Sequence, residues 1–255
     1  MPRKNAAEQW DDRLENSSVP LVKLSADGKP IRFASCCLGE YLSHRVMLST
    51  AHQVLSESAR TSEPGRWAIL SRHEPGRNFC WFPAEESYLL RVGCSNLQAD
   101  YVDFSYCVLS DEVTAFSQRF DDWTGEISWE APKTIHRLDF DAKPRRSVGY
   151  GFAGHTKHME LDHPVSPILS YEVVVVDDLS YVETKGDMHV FKLGAKHPGH
   201  ERFHGCSGAP IISKTGQVVA LVCRGELEGD LIYGVALSAY KTAVTSKLNS
   251  ASDDG

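Results

Sequence analysis

Short strand-like segments separated by turn signals run through almost the whole chain, and this rhythm restricts the fold more than any other feature. The clearest pair, residues 20–24 and 31–38, flanks a turn at 26–29 whose Asp-Gly step is typical of a β-hairpin. Further segments of this kind lie at 45–49, 67–70, 79–82, 88–92, 103–109, 147–151, 172–176 and 188–193. The rhythm predicts an all-β protein of two β-barrels.

Both ends of the chain predict a helix. Asn5 can cap a first helix over residues 6–16, with Glu8 at the capping-box position. The apolar residues of that helix share one face: Ala6, Ala7, Trp10 and Leu14. Such faces mostly pack on a core, so we expect this helix to lie on a barrel, and docking of a partner stays open. A second helix is predicted over 241–248.

The sequence divides into five predicted parts. They are an N-terminal arm and helix (1–18), a first barrel (19–115), an inter-barrel linker (116–144), a second barrel (145–240) and a C-terminal helix with an acidic tail (241–255). The linker falls in an acidic stretch with Trp123 and Trp129 and no clear period. A chain of 255 residues is long enough to bury a sizeable core.

Charge and hydropathy exclude two classes of partner. The formal net charge is −7 and the sequence contains no basic block, whereas binding to nucleic acid needs clustered Lys and Arg. No apolar run is long enough to span a membrane. We therefore expect neither a nucleic-acid nor a membrane partner.

The cysteines predict reduced thiols. There are seven, Cys36-Cys37 is the only adjacent pair, and an odd number without a regular framework argues against a secreted disulfide scaffold. The polar N-terminus lacks the apolar core of a signal peptide. We therefore expect a cytoplasmic protein.

The segment from Gly205 to Pro210 reads Gly-Cys-Ser-Gly-Ala-Pro and precedes a strand-like run. Small residues around Ser207 would let a substrate backbone come close, and glycines permit the backbone angles of a tight loop. The backbone N–H groups of Gly205 and Ser207 could then stabilise an oxyanion. An ordinary glycine-rich turn before a strand is the alternative.

Two further segments make Ser207 a candidate nucleophile. His52 follows Leu-Ser-Thr-Ala at the end of a predicted strand, and Asp103 begins another strand, Asp-Phe-Ser-Tyr-Cys-Val-Leu. The chain order His, Asp, Ser is the chymotrypsin order, unlike that of the α/β-hydrolases or subtilisins. Asp100 is the nearest alternative to Asp103, but its context favours a loop acid.

These motifs resemble those of trypsin-like serine peptidases with the chymotrypsin fold. Ser-Thr-Ala-His at 49–52 is similar to the family's Thr-Ala-Ala-His, and Gly-Cys-Ser-Gly-Ala-Pro at 205–210 to its Gly-Asp-Ser-Gly-Gly-Pro. Residues 216–222 and 235–240 resemble two strands that follow in the family. The likeness covers about residues 19–248 and suggests a bacterial-type, non-secreted member, since Gln53 stands where secreted members usually have cysteine.

The resemblance implies that both barrels are six-stranded antiparallel Greek-key β-barrels. It also implies a serine endopeptidase without a cofactor that acts on a protein or peptide substrate. Ser207 would attack the carbonyl, His52 would transfer the proton, and Asp103 would orient the imidazole. Two other classes stay open: a catalytically silent or partner-activated pseudo-peptidase that binds protein, and an esterase or other acyl transferase with the same triad. A regulatory protein partner is also left open.

One residue departs from the family pattern. Cys206 stands where secreted members have the aspartate that receives the new N-terminus after zymogen cleavage. We therefore expect a site that is either constitutively formed or switched by a partner or by loop ordering, not by cleavage near residue 18. Cys206 is also an alternative nucleophile, which the register of Ser207 with Gly-Ala-Pro disfavours.

The resemblance also implies a substrate-binding pocket. Glu201 lies where trypsin has its pocket aspartate, and Cys223, Arg224 and Gly225 resemble the far wall. Glu201 could pair with a substrate Arg or Lys, although pairing with Arg202 or Arg224, or exposure to solvent, is slightly favoured. Arg224 could equally attract an acidic substrate.

Histidines cluster in two places, at His155, His158 and His163 and at His197, His200 and His204. His-x-x-His spacing can bind zinc when both rings lie on one face. No cysteine completes either set, and Pro198 and Gly199 would break a helix. We therefore expect no metal, and a role for His204 beside the substrate stays open.

Overall fold

The protein is described by a computed structural model. It describes residues 5–27, 30–51, 66–73, 78–83, 88–91, 101–111, 113–116, 118–120, 127–129, 132–161, 168–196, 199–226 and 229–253.

The N-terminal helix α1 (Ala6–Ser17) forms as predicted. Asn5 Oδ1 accepts the backbone N–H of Glu8 at 2.9 Å, and Glu8 Oε2 accepts that of Asn5 at the same distance, which completes a capping box. Leu14 is fully buried against the second sheet, where it lies close to Gly151. Leu14 and the half-buried Trp10 therefore pack on the core, as expected, whereas Ala6 and Ala7 of the predicted face are exposed.

A curled antiparallel sheet follows the helix. Its strands are β1 (Val19–Leu24), β2 (Pro30–Tyr41), β3 (His44–Ser49), β4 (Arg66–His73), β5 (Asn78–Pro83), β6 (Tyr88–Arg91) and β7 (Tyr101–Leu109). Over the described residues the strands follow the order β5-β4-β1-β2-β3-β7-β6. Buried apolar residues on β1, β2, β3 and β7 fill this sheet, among them Leu21, Leu38, Met47 and Cys107.

Short strands occupy the stretch expected to be an irregular linker. β8 (Gln118–Phe120) pairs with β9 (Ile127–Trp129), and β10 (His136–Arg137) pairs in parallel with Gly39 and Glu40 of β2. Strands of two or three residues are too short to produce a period in the sequence, which explains why the pattern did not predict them.

The second sheet closes into a six-stranded antiparallel barrel. Its strands are β11 (Gly149–Leu161), β12 (Ile168–Lys185), β13 (Met188–Lys192), β14 (Pro210–Ser213), β15 (Val218–Gly225) and β16 (Leu231–Ala236), in the order β11-β12-β13-β16-β15-β14. β14 pairs back to β11 through Tyr150 and Gly151, which closes the barrel. β12 is much longer than the predicted segment 172–176.

The remaining helices complete the fold. α2 (His200–Phe203) precedes Ser207, and a 3₁₀ turn (Leu237–Ala239) leads into α3 (Lys241–Asp253), which extends beyond its predicted end. One core cluster combines residues of both sheets and both terminal helices, including Leu14, Phe104, Leu221 and Val244. The predicted all-β class with a helix at each end is confirmed. The second unit is the expected closed six-stranded barrel, whereas the first is, over the described residues, a curled half-barrel sheet with seven strands in succession. None of the described helices is long and apolar enough to cross a membrane.

Candidate active site

The loop that carries Ser207 begins with a type II turn. Cys206 N–H donates to the Phe203 carbonyl at 3.0 Å, His204 has φ −64° and ψ 118°, and Gly205 has φ +100°. These values match a type II turn, which requires a positive φ at its third residue. A type I turn would have the His204–Gly205 peptide flipped, so the turn type decides the direction of the Gly205 N–H.

Glycine is required at two positions of this loop. A Cβ on Gly205 would lie 2.4 Å from the His155 carbonyl oxygen, and a Cβ on Gly208, whose φ is +88°, would lie 2.1 Å from that of Ser35. Both distances are far below van der Waals contact, and both residues have a positive φ, which non-glycine residues rarely adopt. The glycines flanking Ser207 are therefore demanded by the packing of the loop against β2 and β11.

The Ser207 loop is tied to β15 by its backbone. Gly208 N–H donates to the Val222 carbonyl and Val222 N–H donates to the Ala209 carbonyl, both at 2.8 Å. The half-buried Ser207 donates its own hydroxyl to the Cys223 carbonyl at 3.1 Å. The nucleophile candidate therefore lies directly beside the chain at Cys223.

Asp103 reaches the same residue from the first sheet. The thiol of Cys223 donates to Asp103 Oδ2 at 2.9 Å. Burial, followed by the charge of Asp103 and this hydrogen bond, raises the pKa of the Cys223 thiol well above its usual value. Cys223 therefore stays protonated and links Asp103 to the strand that carries the acceptor of Ser207.

The third candidate, His52, lies outside the described residues, as does the alternative acid Asp100. The chain just before His52 is described: Ala51 is buried, and Ser49 pairs with Ser105 of β7. A Cβ on Gly208 would lie 2.4 Å from Ser49 Oγ, so the end of β3 borders the Ser207 loop.

Cys206 is in the wrong place for a nucleophile. It is fully buried against Gly154 of β11, and burial raises the pKa of its thiol to about 12. Since the thiolate is the nucleophilic form, this cysteine is inert near neutral pH. It packs in the apolar core of the second barrel, with Phe152 and Ala209 in the same cluster.

The expected pocket residues lie along α2 and β15. Glu201 is in α2, and its side chain lies outside the described residues. Arg224 is exposed, and its guanidinium carbon stands 5.0 Å from the centre of the Tyr233 ring, a cation–π geometry. Gly225 pairs with the buried Ile232 of β16. Arg224 and Gly225 thus lie at the end of β15, paired with β16, whereas Cys223, expected in the pocket wall, binds Asp103.

The histidines of the two sequence clusters differ in their burial. His155 is buried on β11, and its Nε2 donates to the Ser18 carbonyl at 3.1 Å. Burial, reinforced by the charge of Lys133, lowers the pKa of His155 to about 3. His204 is exposed, and the side chains of the other four lie outside the described residues. Within the described part of the chain, no group of three His, Cys, Asp or Glu residues is arranged to hold a metal.

Sequence reasoning missed a second acidic contact behind Asp103. Tyr240 donates its hydroxyl to Asp187, and the Tyr240 ring stacks on Phe104, with ring centres 4.7 Å apart. Burial and the bond to Asp187 raise the pKa of Tyr240 well above its usual value. No local motif marks this contact, because Asp187 lies in the turn between β12 and β13 whereas Tyr240 stands between the 3₁₀ turn and α3, 53 residues further along the chain.

Comparisons with known proteins identify the fold. No known family profile matches the chain, and no curated protein matches its sequence. Among solved structures, the scabies mite inactivated protease paralogue S-D1 is similar, with a TM-score of 0.52 and 11% identity over 92% of this chain and 93% of that one. Human heparin binding protein is similar with a TM-score of 0.52 and 11% identity over 93% of each chain. The likeness shows a chymotrypsin-like fold.

Proposed function

We propose that the protein is a serine endopeptidase that hydrolyses a protein or peptide substrate through His52, Asp103 and Ser207. One observation supports this above all: Ser207 and Asp103, which come from different sheets, both hydrogen-bond to Cys223. A serine held near a carboxylate across the junction of two sheets is the arrangement that a Ser-His-Asp triad needs. The end of β3, which leads into His52, borders the same loop.

The proposed chemistry is acyl transfer. Ser207 Oγ attacks the substrate carbonyl carbon while His52 takes its proton, and the collapse of the tetrahedral intermediate expels the amine, which His52 protonates. Asp103 stabilises the imidazolium, and the Cys223 thiol helps to hold that carboxylate. The N–H groups of Gly205 and Ser207 stabilise the oxyanion. Water then releases the acid by the same steps.

The site is proposed to form without cleavage near residue 18. Ser17 and Ser18 are fully buried, and their carbonyls accept hydrogen bonds from His136 Nε2 at 3.4 Å and His155 Nε2 at 3.1 Å. A processing protease could not reach this segment in the folded protein. Cys206 is buried among apolar side chains, and a charged N-terminus placed there would have no charged partner either.

A pseudo-peptidase is the second candidate, and one observation favours it. The Ser207 hydroxyl donates to the Cys223 carbonyl, so in this conformation its proton is not directed at a base. Catalysis would require Ser207 to rotate toward His52, and a bound partner could favour that rotation. One structural neighbour is itself an inactivated protease paralogue.

Labelling with a fluorophosphonate tests the proposal. The wild type should be labelled, Ser207→Ala and His52→Ala should not, and Cys206→Ala should react like the wild type. Absence of wild-type labelling would favour the pseudo-peptidase. Loss of labelling in Cys206→Ala would instead indicate that the Cys206 thiol is the nucleophile. Turnover of simple esters without any cleavage of a peptide library would indicate an esterase.

The setting of the enzyme is part of the proposal. We propose that it works in the reducing cytoplasm, with no nucleic acid or membrane partner, and that narrow specificity or a regulatory protein restrains it. Cell fractionation with a thiol-trapping reagent checks the location and the redox state together. Recovery of the protein outside the cell with oxidised cysteines would contradict this setting.

A further inference from the structure

Ser35 on β2 contacts both residues that would supply the oxyanion hole. It is fully buried, its hydroxyl donates to the Gly205 carbonyl at 2.8 Å, and its N–H donates to the Ser207 carbonyl at 3.2 Å. One residue of the first sheet therefore binds the nucleophile loop of the second barrel at two points.

Ser35 can bind the Ser207 loop because it lies beyond the end of the hydrogen-bonded ladder between β2 and β3. β3 pairs with β2 from Tyr41↔His44 to Cys37↔Leu48, so the ladder ends before Ser35. The Ser207 loop takes the place of a strand neighbour there, and the Ser35 carbonyl accepts the Ser49 hydroxyl at 3.0 Å. The hydroxyl of Ser35 also accepts the His155 N–H at 2.9 Å, which ties it to β11.

The peptides on either side of Cys206–Ser207 are each held at both ends. In the Gly205–Cys206 peptide, the N–H donates to Phe203 and the C=O accepts from the Ser35 hydroxyl. In the Ser207–Gly208 peptide, the N–H donates to Val222 and the C=O accepts from the Ser35 N–H. Ser35 therefore supplies the carbonyl partner in both peptides and limits their rotation.

We propose that Ser35 is a positioning residue that keeps the Gly205–Ser207 loop in its oxyanion-binding form. This inference rests on the proposed function. The oxyanion donors are the N–H groups of the His204–Gly205 and Cys206–Ser207 peptides, and the carbonyl that Ser35 binds belongs in each case to the next peptide along the chain. By fixing those two following peptides, Ser35 limits the rotation of Gly205 and Ser207 and keeps their N–H groups directed at the oxyanion. His155 cooperates, because its N–H orients the Ser35 hydroxyl and its carbonyl packs on Gly205.

Ester hydrolysis by Ser35→Ala provides the first test. Loss of one oxyanion donor in a serine protease reduces kcat by about 10²–10³, so partial misplacement of a donor should reduce kcat roughly 10- to 100-fold, with KM within about twofold of wild type. Ser35→Cys keeps a weak donor and should fall between alanine and the wild type. It also replaces the alanine variant should that variant fail to fold.

Ser213→Ala is the matched control. Ser213 is another buried serine whose hydroxyl accepts a backbone N–H, from Gln217 at 3.1 Å, but it lies at the opposite end of β14. The Ser213→Ala variant should lose about as much thermal stability as Ser35→Ala, while its kcat stays within about twofold of wild type. An equal fall of kcat in the Ser35 and Ser213 variants, or none in Ser35→Ala, would overturn the positioning role.

Hydrogen exchange separates this inference from the proposed function. In Ser35→Ala the amide of Cys206, whose peptide loses the Ser35 hydroxyl, should exchange at least about tenfold faster than in wild type. The amide of Gly208 is an internal control, because its peptide is held by the Ser35 N–H, which alanine keeps, and Ser213→Ala should leave both amides unchanged. This measurement does not need turnover, so an inactive wild type would refute the peptidase and still allow Ser35 to be judged. Unchanged exchange at Cys206 would overturn the inference.

Discussion

The Ser207 loop and the strands around it are held in place by different kinds of interaction. In the loop, backbone sterics decide: Gly205 and Gly208 have positive φ, and neither can carry a Cβ. In the surrounding strands, side-chain contacts decide: Ser35 binds two loop carbonyls and Cys223 binds Asp103. A sequence motif therefore marks where the backbone must be unusual, whereas the residues that support that backbone carry no local sequence signature.

The largest effect is expected for Gly208→Ala. The new Cβ would stand 2.1 Å from the Ser35 carbonyl oxygen at a φ of +88°, so strain and overlap add. The free energy of unfolding should fall by about 3 kcal/mol or more, and labelling of Ser207 should be lost. Urea unfolding measures the first effect and a fluorophosphonate the second.

Gly186→Ala is the control for strain alone. Gly186 also has a positive φ, of +61°, but its Cβ would have no neighbour within 4 Å. We expect a cost of roughly 1 kcal/mol and normal labelling. If the two variants lost equal stability, contact with β2 would not be what demands glycine at 208.

Acid should lower the free energy of unfolding through His155, which lies on β11 beside the Ser207 loop. The pKa of this histidine is about 3 in the folded protein, against an ordinary 6.5, because burial disfavours the charged ring. Between these pH values the unfolded chain binds more protons, so the free energy of unfolding falls as pH falls and is constant above about 7. From pH 6.5 to 5 the loss from His155 should be about 2 kcal/mol, measured by urea unfolding at each pH.

Two variants sharpen the acid experiment. His155→Gln should be less stable near neutral pH but should show a flatter dependence on pH between 6.5 and 5. The exposed His204 offers the control, since His204→Gln makes the same substitution outside the core. A steep profile that survives in His155→Gln would assign the acid sensitivity to other groups, of which the buried His136 and His189 are the first to test.

Replacement of Cys223 should affect catalysis more than folding. Cys223→Ala removes a donor to Asp103, and we expect kcat to fall about tenfold, an energy of about 1.4 kcal/mol. Cys223→Ser keeps a donor in the same place and should match or exceed wild type, because a hydroxyl is a stronger donor than a thiol. Equal losses in both variants would show that the size of the side chain matters, not its hydrogen bond.

The smallest effect is expected for Arg224→Ala. Arg224 is exposed and its guanidinium lies over the Tyr233 ring, so the free energy of unfolding should fall by less than about 1 kcal/mol. Any change in turnover should appear in KM for charged substrates. Tyr233→Phe is the control, since it keeps the ring and removes only the hydroxyl that donates to Glu226. A large fall of kcat would place Arg224 closer to the chemistry than its exposure suggests.

The sequence predicted elements with a clear local pattern better than very short or bulged strands. The β1–β2 hairpin and the capping box at Asn5 follow from local patterns, and the structure contains both. The short strands β8 and β9 and the full length of β12 were missed. Two or three residues carry no period, and the register of β12 shifts at bulges against both neighbours, which interrupts alternation.

The all-β class and the candidates His52, Asp103 and Ser207 follow from the amino-acid sequence alone, because strand rhythm, residue order and flanking glycines can be read along the chain. The structure adds that Cys223 hydrogen-bonds with both Asp103 and Ser207, that Cys206 is buried, and that Ser35 binds the Ser207 loop. Spacing along the chain does not predict these contacts, because a buried hydrogen bond depends on which distant segments the two sheets bring together.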